Sequence, residues 1–80
     1  MNRKIRLIWD FYGDTAPETA QHHLKHLGEF MERSNLPIYN QGTASEAELH
    51  CLAYMTVDED QVKNLRDTLR PKRAFVEKMD

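Results

Sequence analysis

Four histidines and one cysteine are the residues of this 80-residue chain best suited to chemistry. His22 and His26 stand four apart, a spacing at which one helix face can offer two imidazoles to a metal. Glu18 and Glu29 share that face. A catalytic zinc site needs a third protein ligand from another element, and no His-Glu-x-x-His run occurs. Glu18, His22 and His26 therefore read as a solvated polar face, and no metal or cofactor is expected. His23 borders an apolar stripe, where burial and a nearby carboxylate can move its proton affinity across neutrality. Asp10 and Asp14 lie at the end of the preceding strand and in the turn after it. A carboxylate there would orient the ring and complete an acid/base pair with His23. The plainer reading is a half-buried structural ring bonded to a backbone carbonyl.

His50 and Cys51 are neighbours in an alternating stretch, so they point to opposite sides of a strand. Cys51 falls among apolar residues and reads as an inert buried thiol rather than a nucleophile. His50 falls on the other side, where it can titrate with assembly or simply pack. Lys63, Arg66, Arg70, Lys72 and Arg73 form a late basic cluster. A phosphate site is one reading. Asp58, Glu59, Asp60 and Asp67 balance the cluster, so a solvated helix face accounts for it.

The element that must position these groups is a helix from Thr15 to Ser34. Thr15-Ala16-Pro17-Glu18 supplies a cap hydroxyl, a proline in the first turn and a carboxylate three residues on, the pattern of a capping box. At about 100° per residue, Ala16, Ala20, Leu24, Leu27 and Met31 form one stripe. Glu18, His22, Lys25, His26, Glu29 and Arg33 fall opposite. Asn35 suits a left-handed C-terminal position, and Pro37 cannot continue the helix.

Before the helix, Lys4 to Tyr12 alternates as a strand, with Ile5, Leu7, Trp9 and Phe11 on one side. After it, Leu36 to Gln41 is expected as a short strand and Gly42 to Ser45 as a loop. Leu49 to Val57 is the clearest strand, with Leu49, Cys51, Ala53, Met55 and Val57 facing one way. Asp58 caps a second helix whose Val62, Leu65 and Leu69 share a face, with Gln61 in a variant capping box. Arg70-Pro71 ends that helix. Ala74, Phe75 and Val76 form a last strand.

The order is β-α-β-β-α-β, an α+β, ferredoxin-like pattern in a single domain spanning residues 1–80. It predicts a four-stranded antiparallel sheet, ordered 4-1-3-2, with two helices on one face. The other face would carry Ile8, Leu52 and Tyr54, flanked by Arg6, Asp10, His50 and Thr56. An apolar patch of that kind marks an interface. Alternatively, the helices wrap round the sheet, or Lys78-Met79-Asp80 folds back over it. A chain this short buries a modest core, which favours pairing with a second copy.

Composition excludes several classes. Hydrophobic content of 40% with 30% charged residues is that of a folded globular chain. A formal charge of −2 argues against a general nucleic-acid binder, and the sequence lacks the basic-glycine-aromatic motif of RNA-recognition domains. A single cysteine leaves no intrachain disulfide and fits the cytoplasm. No apolar run approaches the roughly 18 residues of a membrane span, and Met1-Asn2-Arg3-Lys4 opens no signal peptide.

His23-Leu24-Lys25-His26-Leu27, preceded by Trp9-Asp10-Phe11-Tyr12, resembles YCII-related domains, within the dimeric α/β-barrel group of small bacterial proteins. The resemblance covers the order of elements over most of the chain. It implies a suspected catalytic His–Asp pair, with His23 as the histidine and no secure match for the carboxylate. The glycine-rich loop of that family is reduced here to Gly42. Two functional expectations follow. One is a homodimer paired through Ile8, Leu52, Tyr54 and His50 that binds a small ligand. The other is a small enzyme using His23 with Asp10 or Asp14.

Overall fold

The computed structural model describes residues 3–77. The chain runs β1 (Lys4–Tyr12), α1 (Ala16–Arg33), β2 (Asn40–Ala47), β3 (His50–Asp58), a 3₁₀ turn (Glu59–Gln61), α2 (Val62–Leu69) and β4 (Arg73–Glu77). The strands form one antiparallel sheet in the order β2-β3-β1-β4, an α+β arrangement with β3 and β1 at the centre. Among the described residues, no helix is long and apolar enough to cross a membrane.

Sequence explains why β1 and β3 are central. Each carries apolar residues on both sides: Leu7, Ile8 and Trp9 are buried in β1, and Cys51, Leu52, Ala53, Met55 and Val57 in β3. Strands buried on both faces read as near-continuous apolar runs. The inward residues Ile5, Leu7, Trp9, Met55 and Val57 meet Leu27 and Met31 of α1 and Leu65 of α2 in one cluster. A second cluster joins Ala16 and Ala20 to Cys51 and Ala53, small residues that let the first half of α1 approach β3. The apolar stripe and polar face read for α1 are both found. The Trp9 indole N–H donates to the Leu69 carbonyl at 2.8 Å, tying the end of α2 to the central strand.

Three local readings need correction. The capping box at Thr15 does not form, because the Thr15 side chain makes no cap hydrogen bond. The entry is set instead by backbone: Ala16 N–H donates to the Gly13 carbonyl at 3.1 Å, with Gly13 at φ +106°. Asp58 likewise makes no cap bond to the 3₁₀ turn; its carboxylate accepts from Lys4 and Tyr39. The second strand is Asn40–Ala47, not Leu36 to Gln41, and the expected loop Gly42 to Ser45 lies inside it. Leu36 and Ile38 pack against the core rather than pair in the sheet. β2 is an exposed edge strand, so no apolar alternation marks it.

The exit of α1 follows the sequence closely. Asn35 adopts φ 57°, Leu36 N–H donates to the Met31 carbonyl at 3.0 Å and Asn35 N–H to the Glu32 carbonyl at 3.1 Å. This is the Schellman geometry that satisfies the last carbonyls of a helix.

Candidate functional site

β1 alternates, so Arg6, Ile8, Asp10 and Tyr12 all face away from the helices. In the antiparallel register Tyr12 lies opposite His50, Asp10 opposite Leu52, and Ile8 opposite both Tyr54 and Arg73. Three strands thus deliver polar side chains to one end of the outer sheet face, around Asp10. Arg73 donates to both Asp10 oxygens, Nε to Oδ2 at 3.0 Å and Nη2 to Oδ1 at 2.8 Å. His50 Nε2 lies 2.8 Å from Asp10 Oδ1. The Tyr12 ring stacks on the His50 ring, with centroids 4.4 Å apart and planes 18° from parallel.

The Asp10 side chain is only 8% exposed. Burial pushes its proton affinity up, but the hydrogen bonds from Arg73 and His50 outweigh that, and its pKa falls below the ordinary value. Asp10 is therefore a carboxylate at neutral pH. The Asp10 hydrogen bond in turn pushes Arg73 up. An ionised carboxylate only accepts, so His50 donates from Nε2 and its Nδ1 is the ring nitrogen left to take a proton.

The expected pair between His23 and Asp10 or Asp14 is not made. Asp10 serves the outer face, whereas His23 projects from α1 against the rings of Trp9 and Phe11, at centroid distances of 5.4 and 5.3 Å. His23 Nε2 is buried without a hydrogen-bond partner among the described residues. Burial, then the positive potential of His26 and His22, lowers its pKa. Asp14 is exposed in the turn before α1. Cys51 is buried, as read.

The outer face also differs from the apolar patch expected there. Ile8 and Leu52 are each 4% exposed, and long side chains of the same face form its surface. Tyr54 lies over Gly42, where an added Cβ would meet the Tyr54 hydroxyl at 2.7 Å. The Arg6 guanidinium sits 4.2 Å above the Tyr54 ring centroid and pairs with Glu77. Lys4 pairs with Asp58 at 2.6 Å and covers the Tyr39 ring. Lys78-Met79-Asp80, read as one possible cover for this face, lie outside the described residues. Of the residues named for an interface, Tyr54 and His50 are partly accessible and Ile8 and Leu52 are not.

Sequence reasoning missed Arg73 and Tyr12. A last strand beginning at Ala74 leaves Arg73 with the basic helix residues, whereas β4 begins at Arg73. Started one residue earlier, its alternation places Arg73, Phe75 and Glu77 on the face of Asp10.

Among the described residues, no group of three or more histidine, cysteine or acidic side chains is arranged to hold a metal. No protein-family model, curated protein or solved structure matches this chain, so its functional reading rests on this geometry.

Proposed function

We propose that the chain is a ferredoxin-like βαββαβ domain that pairs with a second copy of itself through the outer sheet face. The pair, in the manner of dimeric α/β-barrel proteins, encloses a small polar ligand near Asp10, His50 and Arg73. The observation that carries this reading is the matching of charges on that face. Arg73 has Asp10, Arg6 has Glu77 and Lys4 has Asp58. Exposed rings stand among these pairs, with Tyr12 72% and Phe75 48% accessible.

A two-fold interface uses the same patch on both copies, so the patch must complement itself. Neutral ion pairs interleaved with aromatic rings and arginines meet that condition, and tyrosine, phenylalanine and arginine are enriched in such contacts. Nucleic acid calls for cations left free to neutralise phosphates, and these three cations are already paired. A lone, buried thiol suits a reducing compartment such as the cytoplasm.

One observation favours a second reading, a small acid/base enzyme. Asp10 holds the His50 ring at 2.8 Å, the arrangement in which a carboxylate orients an imidazole for proton transfer. His50, not His23, would then carry the proton.

Light scattering on wild type and on Tyr12→Glu and Phe75→Glu tests the pairing. Both substitutions lie on exposed positions, so they leave the fold intact while placing like charges across a two-fold contact. Leu52→Asp would be a poorer probe, because Leu52 is buried within the single chain.

A further inference from the structure

We propose that His22 and His26 chelate a divalent transition-metal ion on the solvent face of α1, with Cu²⁺ bound most tightly and Ni²⁺ next. The two side chains are exposed one helical turn apart. Their Nε2 atoms face each other at 3.0 Å, with the rings 84° from parallel and their centroids 4.4 Å apart. Two facing imidazole nitrogens have two ways to avoid lone-pair repulsion. Either one carries a hydrogen and donates to the other, or both are bare and a cation sits between them.

Glu29 stands beside the pair, its Oε1 3.2 Å from His26 Nδ1. A carboxylate there favours a hydrogen on Nδ1 and so a bare His26 Nε2, which can accept from a His22 Nε2–H or bind a cation. Metal-bound histidines are commonly oriented in this way, with the far ring nitrogen donating to a carboxylate that raises the basicity of the ligand.

The separation also selects the ion. With metal–nitrogen bonds of about 2.0–2.1 Å, two nitrogens 3.0 Å apart subtend about 95° at the metal. That is near the right angle between neighbouring ligands in tetragonal Cu²⁺ and Ni²⁺ sites, and narrower than the tetrahedral angle zinc takes. The affinity order of divalent ions at nitrogen ligands favours Cu²⁺ as well. Water completes the coordination, since the described residues bring no third protein ligand to the pair. The other two histidines serve elsewhere: His23 is held against Trp9 and Phe11, and His50 against Asp10 and Tyr12.

The test uses the untagged protein, titrated calorimetrically with Cu²⁺ and with Ni²⁺ near neutral pH, with electron paramagnetic resonance on the copper form. The expected result is saturable binding of one ion per chain, with two nitrogen ligands in the copper spectrum. His22→Ala and His26→Ala each abolish it while helical circular dichroism is unchanged. Glu29→Gln weakens it roughly tenfold, the usual loss when such an orienting partner is removed. Saturable binding that survives both histidine substitutions, or no saturable binding near neutral pH, overturns the proposal. Neither outcome depends on whether the sheet face pairs.

Discussion

Asp10 and His50 meet at 2.8 Å on the outer side of the sheet, while His23 lies on the inner side between the rings of Trp9 and Phe11. His50 lies 40 residues from Asp10 along the chain and His23 is much nearer, yet strand alternation decides for His50. Asp10 shares its face with Ile8 and Tyr12, and register then brings His50 and Arg73 alongside.

Asp10→Asn keeps the shape of the side chain and removes its charge. Hydrogen bonds to charged groups contribute about 1.5–3 kcal/mol each, so urea unfolding should show a loss of about 2 kcal/mol near neutral pH. The folded pKa of Asp10 is depressed below its unfolded value. Its stabilisation is therefore fully present above the unfolded value of about 4 and is lost as pH falls through the lower, folded value. The gap between wild type and Asp10→Asn should close under acid, below about pH 4. A constant gap at all pH values would assign the loss to packing instead of charge.

His23 titrates in the opposite region. Its folded pKa lies below the unfolded value of about 6.5, so the unfolded chain binds the proton more readily. The contribution is present above that unfolded value and is lost as pH falls through the folded one. His23→Phe, which keeps a ring between Trp9 and Phe11, should flatten the decline in stability as pH falls below the ordinary histidine value of about 6.5. It also removes a buried, unpartnered nitrogen, so the variant should be at least as stable as wild type at neutral pH. An NMR titration of His23 with a midpoint above the ordinary histidine value would contradict this account.

Much of the fold was legible because its central elements carry strong periods. The two-residue alternation of β1 and β3 and the stripe of α1 put the residues read for the helix side against the helices, except Leu49, which stands in the turn before β3 and is 53% exposed. β2 was displaced because Asn40–Ala47 is exposed along nearly its whole length, and an edge strand solvated on both faces leaves no hydrophobic period to read. The site was legible in part. Asp10 and His50 are both legible on the outer face, as flanks of its apolar residues, but their pairing depends on the register between β1 and β3, which residue types alone do not fix. Arg73 depended on where the last strand begins, and strand ends are set by backbone pairing.

Gly42 should show a sign reversal. In wild type, a Cβ at Gly42 meets the Tyr54 hydroxyl at 2.7 Å and its ring at 2.9 Å. Gly42→Ala must lift the ring from its place under Arg6, at a loss of about 1 kcal/mol. In a Tyr54→Ala background that obstacle is gone, and Gly42→Ala should gain about 0.5–1 kcal/mol by restricting the unfolded chain. A double-mutant cycle by chemical denaturation measures both signs; a loss in both backgrounds would place the obstacle elsewhere.

Leu49 holds a left-handed backbone at φ 63° in the turn between β2 and β3, where its carbonyl accepts from Gly13 N–H at 2.8 Å. That conformation costs a side-chain-bearing residue about 1–2 kcal/mol, and the Leu49 side chain is itself 53% exposed. Leu49→Gly should raise stability by about 1 kcal/mol, seen as a higher thermal midpoint. An unchanged or lower midpoint would mean that the leucine side chain stabilises the turn by as much as its backbone strains it.

The central claim is that the outer sheet face meets a second copy of the chain, and solution mass measured by light scattering tests it most directly. The account predicts twice the chain mass for wild type and a single chain mass for Tyr12→Glu and Phe75→Glu, with circular dichroism unchanged in both. A wild-type protein that stays at one chain mass at high concentration would contradict it, as would a dimer that neither substitution splits.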